Sequence, residues 1–259
     1  MPEPMELAYE ERGSGPVLLF VHGFPFDRTM WIAQLAGLAK LRTAVAVDLR
    51  GSGLSNTNSG SDFSMDLFAD DIAKTMDVIG ADQADLAGLS MGGYVLFSFW
   101  RRHPDRVRSL IFIDTKAEAD GDEAKAGREK TAELVAEKGL QPLYETLGPK
   151  VVGSSPSIEV QDKVKEMFLN TAPEVAAADS LAMRDRPDST GDLGSITVPV
   201  LWMHGEEDTL MPIDGARASA GKIPGAHFVS IPKGGHVSPM ENPDAVNAAI
   251  ADFLKSQGN

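Results

Sequence analysis

The stretch Ala84-Asp85-Leu86-Ala87-Gly88-Leu89-Ser90-Met91-Gly92-Gly93 decides the fold of this chain. Ala84–Ala87 has the character of a buried strand, and Met91–Arg102 has the pattern of a helix. Between them, Gly88–Gly92 matches G-x-S-x-G, in which a serine stands on a sharp strand-to-helix turn with its hydroxyl clear of the sheet. The two glycines let the strand and helix backbones approach closely without a Cβ clash. The motif therefore predicts Ser90 as a nucleophile.

Short apolar runs alternate with helical patterns on both sides of this motif, which predicts an α/β fold with a mostly parallel central sheet flanked by helices. Val17–Val21 and Thr43–Val47 are almost continuously apolar, as expected of strands buried on both faces. Met5–Glu10 is a candidate edge strand. Further strands are predicted over Leu110–Ile113, Val198–Met203 and Phe228–Ile231, and further helices over Met65–Ile79 and Pro243–Lys255.

The alternation is absent from residue 115 to residue 195. This stretch opens with the charged run Lys116–Lys130 and then shows only helical patterns, with Gly148-Pro149 resembling a turn between two helices. We predict an inserted helical cap, or lid, over 115–195, which leaves 1–114 and 196–259 as the α/β core. The helical patterns cover Arg128–Lys138, Leu140–Leu147, Glu159–Asn170 and Pro173–Arg184.

The loop His22-Gly23-Phe24-Pro25 follows directly on the predicted strand Val17–Val21. A loop at this point can present a backbone amide toward the serine, so the amides of Phe24 and Met91 are the predicted donors of a two-donor oxyanion hole. Met91 is suited to this role because the amides at a helix N-terminus are unsatisfied and carry partial positive charge. The His22 side chain is interpreted as structural, since only the backbone is needed.

A serine hydroxyl is a poor nucleophile until a base removes its proton. The chain has five histidines, and His236 differs from the others because Gly234-Gly235 places it on a turn just after the last predicted strand. Loops at the carboxyl ends of parallel strands are where such sheets hold their ligands. His204 lies inside a strand end, and burial is expected for it. His236 is therefore the predicted base.

The partner of the base is sought among carboxylates that also follow strands. Asp208 lies just beyond the strand Val198–Met203 and is the first choice, with Glu207 next. Asp114 ends the strand Leu110–Ile113 and is a rival.

Taken together, these motifs resemble the α/β-hydrolase superfamily over nearly the whole chain outside the cap. The segment Asp48–Ser55 is similar to a structural turn of that superfamily, and Pro239–Pro243 also fits its pattern. Asp208 remains the first choice over Asp114, and it gives the superfamily order of serine, acid and histidine along the chain, an order with which Asp114 is also compatible. Narrower similarity to small bacterial carboxylesterases and enol-lactonase-like hydrolases rests on His22–Trp31, Gly88–Tyr94, Asp114-Thr115 and Met183–Thr190. This resemblance implies a hydrolase of small to medium esters that needs no cofactor.

The composition and charge of the chain disfavour several classes of binding partner and of reactive group. The 259-residue chain has a net charge of −14, which disfavours binding to nucleic acid and to anionic membranes. With no cysteine, it has no disulfide framework and no thiol nucleophile. The sequence offers no histidine-rich metal motif and no phosphate-binding loop, and no signal peptide is recognised at the start. We expect a cytoplasmic monomer or small homo-oligomer without a metal, whose partner is a small-molecule ester.

Four residues are predicted to contact the substrate: Phe24, Trp31, Met91 and Tyr144. Other apolar residues of the cap are candidates for the pocket or for plain core, namely Leu140, Leu143, Leu147, Met167, Phe168 and Met183. A serine carboxylesterase is the leading interpretation. An enol-lactonase, a C–C hydrolase or a perhydrolase with the same triad is the alternative, and a lactone carboxylate would need Arg128, Arg184 or Arg186 turned inward. A ligand-binding receptor with vestigial turnover is the alternative of another class.

Overall fold

The computed structural model of the protein describes residues 2–55 and 63–258. Within these residues seven strands form one sheet. The strands are β1 Tyr9–Arg12, β2 Val17–Val21, β3 Thr43–Val47, β4 Ala84–Leu89, β5 Val107–Ile113, β6 Val200–Gly205 and β7 His227–Ile231. Their order across the sheet is β1-β3-β2-β4-β5-β6-β7, and all neighbours are parallel except β1 and β3. The predicted mostly parallel sheet is confirmed.

The edge strand differs from its prediction. Met5–Glu10 was expected, whereas β1 spans Tyr9–Arg12 and pairs antiparallel with β3. Upstream of β1, Met5 and Leu7 instead donate backbone hydrogen bonds to side chains, Asp71 Oδ1 at 2.7 Å and Thr75 Oγ1 at 2.9 Å. These side-chain acceptors replace a strand partner there.

Ten α-helices lie within the described residues. They are α1 Ile32–Leu38, α2 Met65–Val78, α3 Met91–Arg102, α4 Asp122–Lys138, α5 Gln141–Val151, α6 Ile158–Asn170, α7 Pro173–Arg184, α8 Ile213–Ala220, α9 Ser238–Glu241 and α10 Pro243–Ser256. Helix α3 has its predicted bounds, and α2 and α10 each end within one residue of theirs. Packing pairs α2 with α3 and α1 with α10. Every residue of β4 is buried, which suits its central place in the sheet.

Four helices, α4 to α7, lie between β5 and β6. All of 115–195 is described and none of it is strand, and α4 packs along α7. The turn predicted at Gly148-Pro149 is wrong, because α5 continues to Val151. Pro149 lies inside this helix and removes one backbone donor from its C-terminal part.

The described residues contain no helix that is both long and apolar enough to cross a membrane.

Candidate active site

Ser90 occupies a strained turn between β4 and α3. Its φ of 53° and ψ of −111° lie in a region that non-glycine residues rarely adopt. The turn is held by the Ser90 amide, which donates to the Ile113 carbonyl at 2.9 Å, and by the Thr115 hydroxyl, which donates to the Ser90 carbonyl at 2.8 Å. Strain of this kind persists only where the surroundings fix it, and it commonly marks a functional position.

The glycines of the motif are required by contact with backbone. A Cβ on Gly88 would lie 2.5 Å from the Gly92 carbonyl carbon, and a Cβ on Gly92 would lie 2.4 Å from the Val21 carbonyl oxygen. Neither obstacle is a flexible side chain. The close approach of α3 to β2 and β4 therefore depends on both glycines.

We expect Gly92→Ala to destabilise the protein by about 3 kcal/mol or more, since the added methyl group displaces backbone rather than a side chain. Gly215→Ala in α8 is the matched control, because its Cβ meets nothing within 4 Å. The control should be neutral or more stable by about 0.5–1 kcal/mol. Urea unfolding curves of the two variants measure both free energies, and equal stabilities would contradict the close-packed turn.

The loop after β2 passes beside the nucleophile. A Cβ on Gly23 would lie 3.2 Å from the Ser90 Cβ. In the described part of the chain, neither the Phe24 amide nor the Met91 amide donates a hydrogen bond to another protein group. His22 is buried between Gly23 and Leu49: its Nδ1 bonds the Gly23 carbonyl, and its Nε2 accepts from the Leu49 amide, both at 2.9 Å. The His22 side chain is structural, as expected, and two amides remain available near Ser90.

Asp208 and His236 form a buried hydrogen-bonded pair, with 2.8 Å between Asp208 Oδ2 and His236 Nδ1. The other carboxylate oxygen of Asp208 accepts from the amides of Leu210 and Met211 at 2.9 and 3.0 Å. This carboxylate is therefore fixed by backbone on one side and orients the imidazole on the other. Because Nδ1 is engaged, Nε2 of His236 is the nitrogen left for proton transfer.

The electrostatics of the pair favour an ionised acid and a basic imidazole. Burial alone would raise the pKa of Asp208, but the charge of His236 and hydrogen bonds from both nearby histidines hold that pKa well below its usual range. Burial also opposes protonation of His236, yet the charge and hydrogen bond of Asp208 outweigh it and raise the pKa of His236. The base is thus stronger than an ordinary histidine.

Asp114, the rival acid, is engaged elsewhere. Its Oδ1 accepts from the Gly205 amide at 2.7 Å, and its Oδ2 accepts from the Ser238 hydroxyl at 2.5 Å. Burial raises the pKa of Asp114 to about 6. Asp114, which follows β5, thus links β6 to the first residue of α9, whereas Asp208 is hydrogen-bonded to His236.

A second histidine lies beneath the pair. His204 is fully buried, as expected, and its Nε2 is 2.6 Å from the Met211 carbonyl and 3.4 Å from Asp208 Oδ2. Ligand atoms of Asp114, His204 and Asp208 lie within 4.8 Å of one another. Hydrogen bonds already engage both carboxylates and the Nε2 of His204, so we interpret the cluster as an acid–base network rather than as a cation site.

Ser90 and His236 line one cavity of about 440 Å³ between the core and the helical insertion. This volume lies within the range of small-molecule sites. No hydrogen bond joins Ser90 to His236 within the described residues, and hydroxyl–imidazole contacts often tighten only when substrate binds. The wall also includes Phe24, Lys116, Asp120, Ala124, Gly127, Arg128, Thr131, Leu143, Thr146, Leu147, Lys150, Val151, Met183, Leu210 and Met211.

Three of the four residues predicted to contact the substrate, Trp31, Met91 and Tyr144, are not among the residues that line this cavity. Trp31 is fully buried and packs on Phe20, with ring centroids 5.0 Å apart, so it belongs to the core. Tyr144 packs edge-on against Phe168 and borders a separate cleft of about 180 Å³ in the insertion. The Met91 side chain is also fully buried. Phe24 does line the cavity.

Of the apolar residues of the insertion that were candidates for the pocket or for the core, some line the cavity and others are buried away from it. Leu143, Leu147 and Met183 line the cavity, while Met167 and Phe168 are buried in the core. Leu140 is buried as well.

Of the polar part of the cavity wall, the sequence singled out only Arg128, as a possible partner of a lactone carboxylate. On α4 the lining positions Ala124, Gly127, Arg128 and Thr131 share one face at helical spacing. This face is small and polar, so a search for an apolar stripe passes over it. The charged run Lys116–Lys130 was the available signal.

Comparison with known proteins finds matches to the alpha/beta hydrolase fold and to esterases and related hydrolases. A family model described as alpha/beta hydrolase fold matches residues 16–243. A thermophilic esterase from Thermogutta terrifontis, solved with malate bound, is 40% identical with a TM-score of 0.95, covering 98% of this chain and 94% of that one. The enol-lactonase from Burkholderia xenovorans is 26% identical with a TM-score of 0.88, covering 96% of each chain. A bifunctional esterase/perhydrolase of Acinetobacter calcoaceticus is 27% identical over 97% of both chains.

Proposed function

Because this chain belongs to the α/β hydrolase fold family, we propose that it is a serine carboxylesterase that cleaves small to medium esters through an acyl-enzyme on Ser90. The observation that carries the proposal is the buried Asp208–His236 hydrogen bond at the cavity that Ser90 also lines. The strained turn at Ser90 also supports the proposal. So do the nearby amides of Phe24 and Met91, neither of which donates a hydrogen bond within the described residues. The similarity to esterases supports the reaction class.

The proposed reaction has two halves. Ser90 Oγ attacks the ester carbonyl while His236 Nε2 accepts the hydroxyl proton, and His236 then protonates the departing alcohol. Water repeats the sequence on the acyl-enzyme and releases the acid. The Phe24 and Met91 amides donate to the oxyanion in both halves, and Asp208 stabilises the imidazolium.

The helical insertion closes the pocket in this proposal. Leu143, Leu147 and Met183 reach the cavity from α5 and α7, so the insertion supplies the apolar surface that the acyl or alcohol group contacts. We therefore treat 115–195 as a cap over the core formed by 1–114 and 196–259.

We expect kcat/KM to fall as the pH drops through the pKa of His236. Only the neutral imidazole accepts the serine proton, so activity is complete above that pKa and is lost below it. Because Asp208 raises this pKa, the fall should begin at a higher pH than for an ordinary histidine. Initial rates on p-nitrophenyl acetate between pH 5 and 9 measure the profile, and a flat profile from pH 5 to 8 would contradict the assignment.

A substrate panel tests the function itself. We propose p-nitrophenyl esters from acetate to decanoate, together with one lactone, each measured with the wild type and with Ser90→Ala. Hydrolysis that favours short or medium acyl chains and depends on Ser90 supports the carboxylesterase. Turnover of the lactone alone would favour the lactonase alternative. Stoichiometric binding without turnover would point to the receptor.

A further inference from the structure

The cavity beside Ser90 carries an excess of positive charge, although the chain as a whole has a net charge of −14. Its wall includes the cationic side chains of Lys116, Arg128 and Lys150, and among the described residues that line it Asp120 is the only carboxylate. An acidic protein that gathers cations in one cavity focuses a positive potential there, which favours an anionic ligand group.

The single carboxylate of the cavity is already paired. Asp120 Oδ1 lies 2.8 Å from Arg186 Nη2 and 3.1 Å from Lys116 Nζ, and Oδ2 lies 3.0 Å from Arg128 Nε. Burial opposes ionisation of Asp120, but Arg186 and Arg128 hold its pKa well below the usual range, so the group is a carboxylate.

Arg186 balances the negative charge of Asp120 through the ion pair between them. Its side chain is only 4% exposed, and it also donates to the carbonyls of Met183 and Glu118. Its guanidinium stacks on Tyr94, 4.0 Å from the ring centroid. Arg186 is thus a structural partner of Asp120 behind the wall, which leaves the charges of Lys116 and Arg128 in excess.

Lys150 adds a third cation near the end of α5. It is exposed and borders the cavity. Its ammonium has neither an ion pair nor a hydrogen bond within the part of the chain that the structure describes. The other arginine considered from the sequence, Arg184, does not line the cavity and pairs with Glu129 and Asp185. The cations that face the cavity are therefore Lys116, Arg128 and Lys150.

We propose that the preferred substrates are esters with a carboxylate remote from the scissile carbonyl, such as monoesters of short dicarboxylic acids, and that Lys150, Lys116 and Arg128 hold this carboxylate. The inference rests on the proposed esterase function. The apolar side chains Leu143 and Leu147 lie in the same cavity and suit the methylene groups between the two ends. Hydrolysis adds water across the acyl–oxygen bond and releases the alcohol and a dicarboxylate.

Two esters of similar length test the proposal. Monomethyl glutarate carries the carboxylate, and methyl hexanoate is its neutral counterpart; released acid is titrated at constant pH. We expect kcat/KM for the charged ester to exceed that for the neutral ester by about fivefold at low ionic strength, as for one partly exposed ion pair. This ratio should fall toward one in 0.5 M salt because the interacting charges are partly exposed and are screened.

The variants identify the cations responsible. Lys150→Gln and Lys116→Gln should each lower the ratio of charged to neutral kcat/KM by about threefold. Lys150→Arg should keep the ratio because it keeps the charge. Lys222→Gln removes an exposed lysine outside the cavity wall and is the matched control, with the ratio unchanged.

Failure of this inference is distinguishable from failure of the proposed function. If both methyl esters are cleaved through Ser90 and the ratio is one or lower, the anionic preference is overturned while the esterase stands. If neither ester is cleaved, calorimetric binding of monomethyl glutarate to Ser90→Ala decides instead. Binding weakened by adding Lys150→Gln supports the carboxylate site, and binding that is absent or unaffected overturns it.

Discussion

A Ser90→Ala variant is expected to lose about ten-thousandfold or more of kcat on p-nitrophenyl acetate. The serine hydroxyl is the only group in the proposed mechanism that forms the acyl-enzyme, and removing such a nucleophile leaves only the contribution of binding and of the oxyanion donors. Alanine at position 90 has a Cβ, as serine does, and would adopt the same positive φ at a similar cost, so the turn should be kept. Single-turnover measurements should also lose the rapid release of one p-nitrophenol per protein molecule.

The control for this variant is Ser98→Ala in α3, the helix that follows Ser90. Ser98 is buried and bonds Asp66 outside the cavity, so its loss affects packing and not the reaction. Ser98→Ala should keep kcat within about twofold, and circular dichroism should show both variants folded. Retention of more than a few per cent of activity by folded Ser90→Ala would refute the nucleophile.

Asp208→Asn is expected to lower kcat by about ten-thousandfold as well. An asparagine amide facing His236 Nδ1 favours the wrong tautomer, because it donates a proton where the carboxylate accepts one. The imidazolium formed during acylation then lacks its stabilising charge. Initial rates at saturating substrate measure the loss.

Glu207→Gln is the matched control, since Glu207 is the neighbouring carboxylate and was the second choice from the sequence. It accepts from the Ser154 amide at the surface and does not contact His236, so activity should be kept within about twofold. Equal losses in Asp208→Asn and Glu207→Gln would contradict the assigned acid. A far larger loss in Asp114→Asn than in Asp208→Asn would restore Asp114 as the candidate.

Local sequence predicts a strand best where a continuous apolar run belongs to a strand inside the sheet. β2 and β3 are continuous apolar runs, and both have their predicted bounds. The fold and the superfamily inferred from the strand–helix alternation and from the motifs taken together are confirmed. The edge strand β1 begins later than predicted because its pattern is short and because the backbone before it, at Met5 and Leu7, bonds the distant side chains of Asp71 and Thr75. Long-range hydrogen bonds of that kind leave no periodic signal.

The candidate site likewise contains residues that the sequence predicts and residues that it does not. Asp208 and His236 were named because each follows a strand, and parallel strands bring their carboxyl ends to one edge. The cavity wall was harder, because Trp31 near the site packs inward while Lys150, far from it along the chain, borders the cavity. Which side of a helix or loop meets the site depends on how the insertion packs on the core, and residue type alone does not encode it.

The chain order of the proposed triad has a consequence for synthesis. Ser90 lies before the four-helix insertion, whereas Asp208 and His236 follow β6 and β7, the last two strands. While the ribosome is still translating the insertion, the nascent polypeptide holds an alcohol with neither base nor acid beside it. Catalytic competence should therefore arise in a single late step, when the final strands dock, and polypeptides released before that point should be inert toward esters.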